Sequence, residues 1–251
     1  MIVNTAAYLF VPLDDAEALA GSLFERAQAQ ALRGTLLVAG EGINLFLAGA
    51  REGIDTFYAA LKEDARFADM RIKYSYSRMQ PFARLKVKVK PEIISFRRDD
   101  GQPLDYPRAP SVSPATLQRW LRQGHDDAGK RVVMLDTRNV QEFEHGTFAG
   151  ALTLPIAKFT ELPAALEPHR EALADATVVS FCTGGIRCEK AALWMQNDGM
   201  DNVLQLEGGI LGYFEEVGGE GYDGRCFVFD ERVALDPQLQ PLVDREEEQV
   251  A

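Results

Sequence analysis

Two patterns flank the run Phe181-Cys182-Thr183-Gly184-Gly185-Ile186-Arg187-Cys188, and together they leave few folds open. Ahead of it, Thr177-Val178-Val179-Ser180-Phe181 reads as a short buried strand. After it, Glu189-Lys190-Ala191-Ala192-Leu193-Trp194-Met195 reads as a helix. A strand that turns through glycines into a helix belongs to an α/β sheet, and its turn lies at the sheet's carboxyl end, where ligands of open α/β sheets usually bind. Backbone N–H groups freed by Gly184 and Gly185, with the positive end of the helix, suit a bound anion. A neighbouring cation and a helix N-terminus bring a cysteine pKa from about 8.5 down to roughly 3.5–7.5, so Cys182 is expected as thiolate at neutral pH. The candidate site is Cys182 as the reacting group, with Thr183, Gly184, Gly185, Ile186 and Arg187 as an anion-holding loop. A buried structural cysteine before a glycine turn is the plainer reading, but it leaves the joint pattern unexplained.

The 251 residues, 46% hydrophobic, suit one or two domains, and a shift in composition favours two. Between Asp99 and Pro114 the chain is rich in Pro and Gly and loses periodicity, which reads as a linker. The expected organisation is an N-terminal domain over 1–98, a linker over 99–112, a catalytic domain over 113–222 and a tail over 223–251. The N-terminus lacks a secretory pattern, and no apolar run approaches the roughly 20 residues a bilayer span needs. A cytoplasmic protein without membrane contact is expected. Three cysteines (Cys182, Cys188, Cys226) and three histidines (His125, His145, His169) support neither a disulfide framework nor a metal site.

The formal net charge of −11 argues against a nucleic-acid partner only if charge is evenly spread. It is not. From Met70 to Arg98 stand nine basic residues against Glu92 alone. Strands over Thr5–Val11, Arg33–Ala39, Ile43–Leu47 and Arg71–Ser77 alternate with helices capped at Asp14 and running over Arg51–Lys62, in the order βαββαβ. That order is a ferredoxin-like α+β sandwich. Beyond it, Arg84-Leu85-Lys86-Val87-Lys88-Val89-Lys90 alternates so that Arg84, Lys86, Lys88 and Lys90 share one face. Such a stripe either protects an exposed edge strand or contacts RNA. Nearby Arg78, Arg97 and Arg98, with Tyr74, Tyr76 and Phe82 for stacking, favour RNA.

In the second half, Ser113-Pro114 opens a helix to about Gln123, Val132–Leu135 and Ala151–Leu154 read as strands, and Phe143 sits in a helical turn. Helices and short apolar strands alternate to Leu211, which gives a mainly parallel sheet. Cys226–Val233 reads as one further strand or docking segment, and the final acidic residues as disordered.

At Asp136-Thr137-Arg138-Asn139, Glu142-Phe143, Gly146-Thr147-Phe148, Gly150-Ala151 and Cys182 through Arg187 the chain resembles a rhodanese-like domain. More narrowly it is similar to the bacterial tRNA uridine(34) hydroxylases, a rhodanese-containing group. Gly40-Glu41-Gly42-Ile43-Asn44, Gln80-Pro81-Phe82, Leu85–Lys88, Cys182–Lys190, Leu206-Glu207-Gly208-Gly209-Ile210 and Cys226–Val233 stand in the expected order. The resemblance implies oxygen-dependent hydroxylation of the wobble uridine to 5-hydroxyuridine, with molecular oxygen as co-substrate, Cys182 as the active-site residue and the tRNA anticodon stem-loop as partner. It also implies that Arg187 holds the anionic pocket, with Asp136 and Arg138 beside it as support; a structural ion pair is the alternative for those two. Many members continue into a longer C-terminal region with more cysteines, whereas this chain stops soon after Val233. Gly146-Thr147-Phe148 lacks the histidine of general rhodaneses, as the hydroxylase group does.

The residues themselves leave the chemistry open. A sulfurtransferase needs Cys182 to take up a sulfane sulfur and hold it as a persulfide under the loop amides and Arg187. Cys188 is then either a resolving thiol or a small residue packed inward. Cysteine phosphatases have one residue more between cysteine and arginine, so the loop length favours sulfur over phosphate. Oxygen activation usually needs a metal or flavin, and neither a metal motif nor a dinucleotide fingerprint is present. No protein partner is indicated.

Overall fold

Residues 1–244 are described by the computed structural model, and each of its two units is built on a five-stranded sheet. The first unit comprises Met1–Ile94, Phe229–Val233 and the stretch from Gln240. The second comprises Ser95–Val228 and Ala234–Leu239.

The first unit follows the βαββαβ order through β1 (Ile2–Phe10), α1 (Ala16–Ala29), β2 (Arg33–Ala39), β3 (Gly42–Gly49), α2 (Arg51–Lys62) and β4 (Ile72–Ser77), with β5 (Leu85–Val89) added. Its strands lie in the order β4-β1-β3-β2-β5, antiparallel except that β5 joins β2 in parallel at one edge. Period two turns Leu36, Val38, Ile43, Leu45 and Leu47 inward, where Ile54, Phe57, Tyr58 and Leu61 of α2 and Leu23 and Ala27 of α1 meet them. Each large side chain withdrawn from water in this way contributes about 1.5–3 kcal/mol. The Tyr58 hydroxyl donates to Thr5 Oγ1 at 2.9 Å, so this polar group is not orphaned in the core. Asp14 does not cap α1. The N-cap residue is Asp15, and its carboxylate receives the Arg66 guanidinium at 2.6 Å instead of a helix N–H.

The second unit runs β6 (Ser111–Val112), α3 (Pro114–Gln123), β7 (Val132–Asp136), α4 (Val140–Phe143), β8 (Gly146–Phe148), β9 (Leu152–Thr153), α5 (Leu162–Leu166) and α6 (Arg170–Leu173). It continues with β10 (Thr177–Phe181), α7 (Ile186–Asn197), β11 (Val203–Leu206), α8 (Gly209–Val217), β12 (Tyr222–Gly224), β13 (Cys226–Phe227) and β14 (Ala234–Leu235). Its main sheet is parallel throughout, in the order β6-β11-β10-β7-β9, so β10 is central. Local signals set α3: the Ser113 hydroxyl accepts the Thr116 N–H, Pro114 occupies the first turn, and Gly124 closes the helix at φ +77°.

The stretch 99–112, expected as a linker, is folded into the second unit. It carries a helical turn at Asp99–Gly101 and the strand β6, and the Asn197 amide donates to Asp100 O at 2.8 Å. The tail differs likewise from one strand or docking segment. β12 pairs with β8 and β13 with β14, while Arg232, paired with Asp230, donates to Ser75 Oγ at 2.7 Å within the first unit. Residues 245–251, where most of the acidic run falls, lie outside the described residues.

Candidate active site

β10 is buried along its whole length, and the chain leaves it at Cys182 in the middle of the parallel sheet. The turn that follows is tied to the start of α8: Cys182 O accepts the Ile210 N–H at 2.9 Å and Thr183 O the Leu211 N–H at 3.0 Å. This approach requires glycine at 209. Its φ is +63°, and a Cβ there would stand 2.5 Å from Cys182 O and 2.7 Å from Gly185 N. Gly185, at φ +102°, is the N-cap residue of α7, so Ile186 and Arg187 open the helix instead of belonging to the loop. Thr183 and Gly184 are half-buried, and a Cβ on Gly184 would meet nothing within 4 Å, so the turn opens there.

The Cys182 sulfur accepts the Gly185 N–H at 3.2 Å and faces the Cys188 sulfur at 3.7 Å. The Cys188 thiol also donates to Gly185 O at 3.0 Å. Burial opposes ionisation of Cys182, but the Cys188 thiol, the Arg187 charge and the Cys188 and Arg187 N–H groups outweigh it and bring the Cys182 thiol down to about 5. Burial and the adjacent Cys182 push Cys188 well above the usual thiol range. Burial also pushes Cys226 up to about 12. At neutral pH the chain therefore holds one thiolate, with a protonated thiol against it.

The sequence does not reveal what Arg187 touches. Its two terminal nitrogens grip Glu142 Oε2 and Oε1 at 2.5 and 2.6 Å, with both side chains buried. The guanidinium expected to hold an anion already has a bidentate carboxylate, and it acts on Cys182 through its charge. Glu142 is placed by α4: it accepts the Asn139 N–H at 3.2 Å in a capping box. The Asn139-x-x-Glu142 spacing signals that helix start, but nothing local signals a second role 45 residues away.

Asp136 and Arg138 form a fully buried ion pair at 2.6 Å. Arg138 also donates to Gly146 O at 2.7 Å, and Thr147 Oγ1 donates to Asp136 Oδ2 at 2.7 Å. Tyr222 donates to the same Gly146 carbonyl at 2.8 Å. Burial works against the Arg138 charge, yet hydrogen bonding to Asp136 keeps it protonated. Asp136 lies opposite Phe181 in the ladder, and Thr137 donates its N–H and its hydroxyl to Phe181 O. This cluster braces the strand end that carries Cys182. Among the described residues, no three of His, Cys, Asp and Glu stand together as a metal site.

In the first unit, Arg84, Lys86, Lys88 and Lys90 are exposed along β5, while Leu85, Val87 and Val89 pack on the core. Arg78 is engaged by Asp244, to whose carbonyl it donates at 2.9 Å. The aromatic residues do not accompany the stripe. Tyr74 and Tyr76 are on β4, at the opposite edge of the sheet, where their rings flank Arg51 at 5.6 and 5.9 Å. Arg98 pairs with Asp100 in the second unit.

Residues 2–93 match the family described as UPF0176 acylphosphatase-like domain, and residues 114–216 match the rhodanese-like domain. A tRNA uridine(34) hydroxylase of Xanthomonas campestris pv. campestris (strain 8004) is 75% identical over 97% of this chain and 96% of its own length. A protein of the same name from Xylella fastidiosa (strain M23) is 66% identical over 97% of this chain and 95% of its own length, so neither carries a long C-terminal extension. A solved Saccharomyces cerevisiae protein, described as a homolog of single-domain rhodanese and of a phosphatase catalytic domain, is 14% identical. That likeness covers 51% of this chain and 93% of the yeast chain, with a TM-score of 0.40. With such identity running through both domains, the chain belongs to the tRNA uridine(34) hydroxylase family.

Proposed function

We propose that this protein hydroxylates the uridine at tRNA position 34 to 5-hydroxyuridine, using molecular oxygen, with Cys182 as the residue that acts on the base. The observation that carries this reading is a buried cysteine whose sulfur accepts the Gly185 N–H at 3.2 Å and feels the Arg187 charge, which favour its thiolate, in a chain 75% identical to a tRNA uridine(34) hydroxylase. A thiolate is the stronger nucleophile at neutral pH, and an electron-poor pyrimidine ring suits it. Thr183 and Gly184 form the open lip of the site, and the buried Gly185 donates its N–H to the sulfur; Arg187 and Glu142 set its charge, and Asp136 and Arg138 brace it. The exposed β5 lysines hold the anticodon stem-loop by its phosphates. No helix among the described residues is long and apolar enough to cross a membrane.

The test compares nucleosides from tRNA of a deletion strain complemented with the wild-type protein or with Cys182→Ser. Wild type is expected to restore 5-hydroxyuridine derivatives and the variant to leave them absent; identical profiles would sink the reading. The same low-pKa sulfur also favours a persulfide-carrying sulfurtransferase. Thiocyanate release from thiosulfate and cyanide, with a persulfide on Cys182, would support that second reading.

A further inference from the structure

Hydroxylation by dioxygen leaves an electron deficit that the substrate cannot fill. Replacing the C5 hydrogen of uracil by a hydroxyl uses one oxygen atom, and the second reaches water only with two further electrons. The active site holds a group of matching capacity. The Cys182 and Cys188 sulfurs lie 3.7 Å apart, both are free, and one S–S bond between them releases two electrons.

We propose that Cys182 and Cys188 are the two-electron donor of the hydroxylation, oxidised together to a disulfide in each turnover. This rests on the hydroxylase reading above. In balance, one uridine, one dioxygen and two thiols give one 5-hydroxyuridine, one water and one disulfide. The C5–H, O–O and two S–H bonds break; the C5–O, S–S and new O–H bonds form. Where Cys182 starts as thiolate, solvent supplies the proton it lacks. The next cycle needs an external dithiol, which reduces the pair by exchange.

Three observations support the pairing. The thiols differ in state, Cys182 ionised and Cys188 protonated, so one attacks while the other keeps its proton for the departing oxygen. Cys188 is in the first turn of α7 and Cys182 in the turn just before it, so closing from 3.7 Å to the roughly 2.05 Å of a disulfide is a local adjustment. Cys226, also fully buried, borders the same turn but directs its sulfur to Phe227 O at 3.7 Å and to the Thr183 side chain, outside the Cys182–Cys188 sulfur contact.

The experiment uses the full chain, fully reduced, freed of reductant and mixed in air with tRNA carrying uridine at position 34. Without reductant, product is expected to stop at one 5-hydroxyuridine per chain. A Cys182–Cys188-linked peptide should appear in equal amount, lighter by two hydrogens, with Cys226 still open to alkylation after denaturation. An added dithiol should restore multiple turnover, and Cys188→Ser should fall below one product per chain whether or not dithiol is present. Product formed with both thiols intact, or many turnovers without reductant, would overturn the donor role while leaving the hydroxylase reading in place. No 5-hydroxyuridine from wild type even with excess dithiol would overturn both.

Discussion

Arg187 is a buried cation facing two anions, the Glu142 carboxylate it grips and the Cys182 thiolate it stabilises, and the balance between them sets the reactivity of the sulfur. Glu142→Gln removes one anion. It is expected to cost about 3–5 kcal/mol of stability, because the buried Arg187 guanidinium loses the carboxylate that grips both of its terminal nitrogens. Denaturant unfolding measures that loss, and a shift under about 1 kcal/mol would show that the pair is wetter than it looks. The same variant leaves Cys182 as the counter-charge of Arg187, so its thiolate should persist to lower pH than in wild type. In the unaltered chain, alkylation of folded Cys182 should rise with pH to a midpoint near 5 and be flat above neutrality. A midpoint near 8.5, the ordinary thiol value, would contradict the charge arrangement. Because the folded pKa is the lower one, Cys182 ionisation contributes stability that is fully present above about 8.5 and is lost as pH falls towards about 5. Cys182→Ser should remove that slope from the pH dependence of unfolding.

The β10–α7 junction shows what local sequence discloses and what it conceals. Helix α2 appears over Arg51–Lys62 as its spacing of Ile54, Phe57, Tyr58 and Leu61 predicts, and α3 begins where Ser113-Pro114 announces it. Helix α7, expected from Glu189, begins at Ile186, because Gly185 caps it through backbone conformation and offers no side-chain signal. Cys182 is legible from its loop, whereas Glu142 and Gly209 are not, since their roles consist of contacts with residues far along the chain. Gly209→Ala tests the second of these. It faces a left-handed φ, which costs roughly 1–3 kcal/mol, and a backbone clash with the Cys182 turn. Gly199→Ala is the control: at φ +87° with nothing within 4 Å, it carries the first cost without the clash. Gly209→Ala should therefore be the more destabilised and should raise the Cys182 alkylation midpoint, while Gly199→Ala leaves that midpoint unchanged. Equal effects in the two variants would mean that α8 does not hold the turn in place.

For a chain of net charge −11 to bind tRNA as proposed, cations must be gathered locally, and Arg84, Lys86, Lys88 and Lys90 stand together along one edge of the first unit's sheet. The stripe is legible because strand periodicity is local; its separation from Tyr74 and Tyr76 is not, because strand order puts three strands between neighbours in sequence. Phosphate binding and edge protection make different predictions for the same variant. Each lysine on a phosphate releases counterions, so replacing Lys86, Lys88 and Lys90 together by Gln should weaken tRNA binding. It should also flatten the plot of log affinity against log salt by about 0.7–0.9 for each phosphate no longer neutralised. The apolar face of β5 is untouched, so the unfolding midpoint should hold. Arg51→Gln, at the opposite edge and already flanked by two tyrosine rings, should leave the salt slope as it is. If the triple variant keeps the wild-type slope and instead aggregates, the lysines guard an open strand edge and the RNA surface lies elsewhere. The slope is the deciding quantity because it follows the number of phosphates neutralised, whereas self-association through β5 lowers the concentration of competent protein without altering how bound tRNA responds to salt.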